Sequence, residues 1–145
     1  MIGKLALAAS MLVLPALAYG DDKDVIDYRE HIMKTLNEQA EALGMILSTA
    51  IADNNATAHL EIIALTASTA LKAFEPKVPG GESKPDVWAK WPDFSKRMNE
   101  FAAKTAEAAR LAKEKGPKAG LSDIDNTLTC KSCHEVYREE KKKSK

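Results

Sequence analysis

Little in this chain suits a β-fold. Aromatic residues make up 6% of its 145 residues, and no stretch of useful length alternates apolar with polar positions, so strands are not expected. Neither sign of charge is in surplus, because 21 lysines and arginines meet 21 aspartates and glutamates. That balance leaves no electrostatic footprint for nucleic acid. The basic tail Lys141-Lys142-Lys143 is short, and reads as a solvated helix end where the macrodipole favours cations. Internal repeats and low-complexity segments are absent. Cysteine is scarce as well, with Cys130 and Cys133 alone. They stand three residues apart, and a disulfide that local closes almost no loop and stabilises little. Their use has to be sought elsewhere.

A run long enough to cross a bilayer is also missing. The longest apolar stretch, Leu5 to Leu17, is too short to span comfortably. It follows Lys4 and ends in Ala16-Leu17-Ala18, the small-x-small form that signal peptidase reads. Residues 1–18 are therefore expected to be a secretory signal peptide rather than a membrane anchor. Cleavage after Ala18 removes Lys4 and leaves residues 19–145 as one domain of net charge −1, with 20 basic and 21 acidic residues. The mature protein is expected to be periplasmic.

Within that domain four amphipathic helices can be read. The first follows the acidic cluster Asp21, Asp22 and Asp24, which suits a helix N-terminus. It carries Val25, Ile32, Leu36, Ala40, Leu43, Leu47 and Ala50 inward at steps of mostly three and four. Asp53-Asn54-Asn55 breaks it and offers a cap to a second helix, which buries Leu60, Ile63, Ala67, Leu71 and Phe74. The connection from Glu75 to Trp91 holds Pro76, Pro79, Gly80, Gly81 and Pro85, so regular helix is not expected there. Trp88 and Trp91 are expected to fold it back onto the bundle. Pro92 suits the first turn of a third helix, whose seam is Phe94, Met98, Phe101, Thr105, Ala108 and Ala112. Gly116-Pro117 ends that helix. Ser122 is expected to cap a fourth, with Ile124, Leu128, Cys133 and Val136 inward. The expected fold is all-α, an antiparallel four-helix bundle after the signal peptide.

The informative segment is Cys130-Lys131-Ser132-Cys133-His134. The order C-x-x-C-H is that of a c-type haem attachment site. On a helix, positions i, i+3 and i+4 share a face. Both thiols can then add to the two vinyl groups of one porphyrin edge, and the imidazole of His134 can take an axial position on iron. One covalently attached haem c is therefore expected. A structural zinc site fits less well, because it needs about four ligands and His31 and His59 stand on separate helices. A thioredoxin-type pair needs a βαβ setting, which is lacking.

With this motif at the far end of a four-helix chain, the sequence resembles the class II cytochromes c, which include cytochromes c′ and c-556. The resemblance also covers Tyr28-Arg29, Met33-Lys34, Leu43-Gly44, Val87-Trp88 and the run from Cys130 to Arg138. It implies that Cys130 and Cys133 are thioether anchors and His134 the proximal ligand. It puts Met33 at the distal position, an iron ligand in some members and a lid over a vacant site in others. Arg29, one turn from Met33, and Arg138, one turn from His134, are implied at a haem propionate or at the border of the ligand pocket. On helix periodicity alone both arginines read as solvated surface charges, and Met33 as core filler.

Two functions follow from those options. With Met33 bound, the iron is six-coordinate and low-spin, and the protein is a one-electron carrier with a redox partner that the sequence does not name. With Met33 only packed, the open side takes nitric oxide or carbon monoxide. The soft thioether at the distal position favours the carrier. An enzyme is not expected, for want of a distal acid–base pair. The resemblance further implies a homodimer through the first two helices.

Overall fold

A computed structural model describes residues 20–125, 128 and 130–140. The expected signal peptide and the basic tail lie outside the described residues. Six α-helices occur among those described: α1 (Asp22–Leu47), α2 (Ala56–Ala70), α3 (Asp86–Ala89), α4 (Trp91–Lys115), α5 (Pro117–Asp125) and α6 (Cys130–Tyr137). Two 3₁₀ turns, Asp53–Asn55 and Leu71–Phe74, flank α2.

The acidic cluster starts α1 as read. Asp21 is the N-cap, its carboxylate accepting from the Asp24 N–H at 2.9 Å. The helix stops sooner than its apolar spacing suggested. It ends at Leu47, and the chain leaves through Thr49 at φ +62°. Leu47 and Ala50 are consequently exposed, not interior. The Asp53–Asn55 segment forms its own short turn, and Asn55 makes no side-chain capping bond to α2.

The proline-rich connection is irregular but for α3, and the Trp88 indole N–H donates to the Phe74 carbonyl at 2.8 Å. Pro92 sits in the first turn of α4, as expected. Thr105 of the α4 seam is fully buried and donates its hydroxyl to the Phe101 and Ala102 carbonyls, both at 3.0 Å.

The fourth helix differs most from the sequence reading. It begins at Pro117, not after Ser122, and it is two pieces, α5 and α6. Proline's fixed φ is preorganised for a helix start, so the Gly116-Pro117 step that ends α4 also begins α5. Ser122 lies inside α5.

Two apolar clusters fill the bundle, one at each end. Leu43 and Ile46 of α1 meet Ala56, Leu60 and Ile63 of α2, Ala108, Ala109 and Ala112 of α4, and Leu121 and Ile124 of α5. At the other end Ile32 meets Ala70, Ala73, Phe74, Val87, Phe94, Met98 and Tyr137. The C-terminal half of α1 thus lies beside the N-terminal half of α2, and the C-terminal half of α4 beside that same half. Neighbouring helices therefore run antiparallel. This is the expected all-α four-helix bundle, with its last helix interrupted.

Candidate functional site

The aromatic end of the bundle carries the residues that the sequence singled out. Cys130 opens α6 and is exposed, Cys133 and His134 follow half-buried, and both thiols are free. Cys133 packs against the aromatic cluster, and Met33, approaching from α1, packs against the same cluster. Leu36, Trp88 and Val136 lie at its edge. The fold thus brings α1 and α6 to one apolar surface, with Met33 and Cys133 on it.

Burial sets the electrostatics of α6. It pushes the Cys133 thiol up, with the Arg97 cation acting in the opposite sense. Burial pulls His134 down, and the Arg138 charge adds to that pull while Glu82 opposes it. A lowered value keeps the imidazole neutral, the form that binds a metal.

Arg29 departs from the solvated charge that periodicity suggested. It is 2% exposed. Its guanidinium lies 5.5 Å from the Phe74 ring centroid and 5.1 Å from that of Trp88. It donates to the Val78 carbonyl at 2.8 Å and to the Gly80 carbonyl at 3.3 Å. Its Nε, also buried, has no hydrogen-bond partner. Such a close approach needs glycine at residue 80, where φ is +129° and a Cβ would stand 2.7 Å from Ile26 Cδ1. Arg138 is half-buried and bound to Glu82, its Nε at 2.6 Å and a terminal nitrogen at 2.5 Å from one carboxylate oxygen.

Tyr137 was missed in the sequence. It is 3% exposed, its ring edge-on to Phe94 at 5.1 Å, and its hydroxyl donates to Asp93 at 2.5 Å. Arg97 donates to the same oxygen at 2.7 Å. Burial, then the Asp93 carboxylate, pushes the phenol up to about 12. The signal was available, since Tyr137 stands one turn after Cys133 and so shares its face. The remaining histidines take no part. His31 is exposed on α1, and His59 pairs with Gln39 at 2.7 Å. Among the described residues no group of three or more His, Cys, Asp or Glu is arranged to hold a metal ion. None of the described helices is long and apolar enough to cross a membrane.

A helical bundle with two thiols and an imidazole on one helix face defines a c-type haem protein, and the comparisons narrow the class. A family model described as Cytochrome C' matches residues 24–138. Cytochrome c' of Rhodospirillum rubrum is 30% identical over 142 residues, covering 92% of this chain and 93% of its own. Two solved structures of Alcaligenes xylosoxidans cytochrome c prime share the fold. A nitric oxide complex of a mutant has a TM-score of 0.71 at 19% identity, covering 85% of this chain and 100% of the other. A carbon-monoxide-bound variant matches with the same score, identity and coverage. The chain belongs to the cytochrome c′ family. Proteins of this family carry one covalently attached haem c with iron. The residues present fit that group: free thiols at i and i+3, an imidazole kept neutral at i+4, an apolar surface beside them, and the unpartnered Nε of Arg29.

Proposed function

We propose that this is an exported, periplasmic haem c protein that binds nitric oxide or carbon monoxide on the Met33 side of its iron. Cys130 and Cys133 are the thioether anchors and His134 the proximal ligand. Nε is the guanidinium nitrogen of Arg29 that has no partner, and it is the donor this reading gives to a propionate. Ferrous haem supplies the affinity for a diatomic ligand. The chain supplies a neutral imidazole and an apolar wall of Met33 and Leu36. The observation that carries this reading is the shared cluster, with Met33 from α1 and Cys133 from α6 on one apolar surface. The relatives solved with nitric oxide and carbon monoxide support it.

Absorption spectra of the parent and of Met33→Ala test it. The ferric parent is expected to be high-spin near neutral pH and to bind carbon monoxide once reduced. Met33→Ala is expected to keep that spin state and bind the gas faster. The thioether is also a soft ligand for ferrous iron, which keeps electron transfer as the second reading. A low-spin parent that turns high-spin in Met33→Ala would install Met33 as a ligand and the protein as a carrier. Attachment is tested separately, since Cys130→Ala with Cys133→Ala should release haem into acidic organic solvent while the matured parent retains it.

No enzymatic step is proposed, because no histidine stands beside Arg29 to form an acid–base pair. A homodimer through α1 and α2 belongs to the same reading. Tyr28, Met45, Ile51, Ile62 and Leu65 on or beside these helices are exposed, Leu65 by 72%. Ile62→Glu with Leu65→Glu should then sediment as monomer while the parent sediments as dimer. A monomeric parent removes the dimer from the reading.

A further inference from the structure

The segment 78–84 joins the two sides of the site. Toward α1, the Val78 and Gly80 carbonyls accept from Arg29, one turn before Met33. Toward α6, the Lys84 N–H donates to the Tyr137 carbonyl at 2.9 Å, and the Glu139 N–H donates to the Glu82 carbonyl at 2.8 Å. These backbone bonds fasten the segment whatever side chain stands at residue 82.

The Glu82 side chain has a different task. Its carboxylate takes two nitrogens of Arg138 on one oxygen, with side chains 46% and 35% exposed respectively. A pair that exposed contributes little to stability. It does, however, fix the position of the Arg138 guanidinium and cancel its charge. Arg138 is one helical turn after His134, its N–H donating to the His134 carbonyl at 2.9 Å. An uncompensated cation at that place disfavours the more positive ferric state.

We propose that Glu82 is a positioning residue that holds and neutralises Arg138 beside the iron-binding imidazole, and so sets the ferric–ferrous balance. This rests on the haem attachment and His134 ligation argued above. The test is the reduction potential of the holo-protein in the parent, Glu82→Gln, Glu82→Asp, Arg138→Gln and the double variant. Glu82→Gln is expected to raise the ferrous-to-ferric ratio at fixed applied potential about threefold, or about 30 mV for one electron. Glu82→Asp keeps the charge and should return most of that shift. In the Arg138→Gln background Glu82→Gln should move the potential much less, since no guanidinium is left to neutralise. An unmoved potential in Glu82→Gln, or the same shift in both backgrounds, would overturn the proposal. The same samples separate it from the reading beneath it. A parent without covalent haem overturns both, whereas a haem-bearing parent with an unmoved Glu82→Gln potential overturns this one alone.

Discussion

Burying the Arg29 guanidinium takes a charge out of water, and the fold compensates with two carbonyls and two aromatic faces. Truncation removes all four contacts and leaves the Val78 and Gly80 carbonyls short of donors. Arg29→Ala should therefore destabilise the protein by about 2–4 kcal/mol, summing charge-assisted hydrogen bonds and cation–π contact. Arg29→Lys should recover less than half, because an ammonium lacks the planar fork that spans two carbonyls. Chemical denaturation midpoints check both, and an alanine variant as stable as the parent would contradict the account. The contrast with Cys130, Cys133 and His134 shows what the sequence could carry. Those three are legible because their geometry is set by spacing within one helix. The burial of Arg29 was not, because what buries it arrives from Phe74, Val78, Gly80 and Trp88, some fifty positions away, and helix periodicity holds no record of that.

Each element of the fourth helix is fastened by a different device. In α5, Gly120 lets three helices meet, since a Cβ there would stand 2.6 Å from the Ala108 carbonyl oxygen and 2.7 Å from both Ala112 Cβ and Leu60 Cδ1. Helix propensity alone favours alanine over glycine by roughly 1 kcal/mol. Overpacking opposes it by about 1–3 kcal/mol, and the backbone carbonyl cannot swing aside as a flexible side chain can. Gly120→Ala should accordingly lower Tm, and a raised Tm would show that α5 has room to shift. In α6 the fastening is the Tyr137 hydroxyl on Asp93. The phenol's folded value of about 12 lies above the ordinary value of about 10, so the neutral form belongs to the fold. The stabilisation is complete below about pH 10 and is lost as pH climbs toward the folded value. Asp93 is held down by the Tyr137 hydroxyl and then Arg97. Its contribution is present above the ordinary carboxylate range of about 4 and drains away as pH falls through the lowered value. Tyr137→Phe should flatten the alkaline limb of a Tm-against-pH curve between about 10 and 12 and weaken the acid limb. Limbs that match the parent's would remove Tyr137 from the account. The sequence located α1, α2 and α4 because apolar positions recur along them at helical spacing, but it ran α1 past Leu47 and α2 past Ala70. It misjudged the start of the fourth helix, because Gly116-Pro117 reads equally as an end and as a beginning.

Over the whole molecule, the two apolar clusters divide the work. One is aliphatic and alanine-rich, tightly closed by α5 against α2 and α4. The other is aromatic, includes the buried Arg29, and takes Met33 and Cys133 at its edge. A porphyrin joined to α6 would add its own apolar disc to the second cluster and nothing to the first. Removing it opens a void only at the aromatic end, where bundle packing would have to collapse or loosen. Loss of haem should therefore act as a local unfolding rather than a global one. Hydrogen exchange on the Cys130→Ala, Cys133→Ala protein gives the comparison. Amides of residues 56–67 and 105–112 should keep their protection. Those of 29–36 and 130–137 should exchange at least roughly tenfold faster than in the holo-protein, as expected for a subglobal opening. Equal loss at both ends would mean that the bundle folds as one unit dependent on its haem. No loss at either end would mean that the aromatic cluster, with Arg29 stacked inside it, is complete without the cofactor.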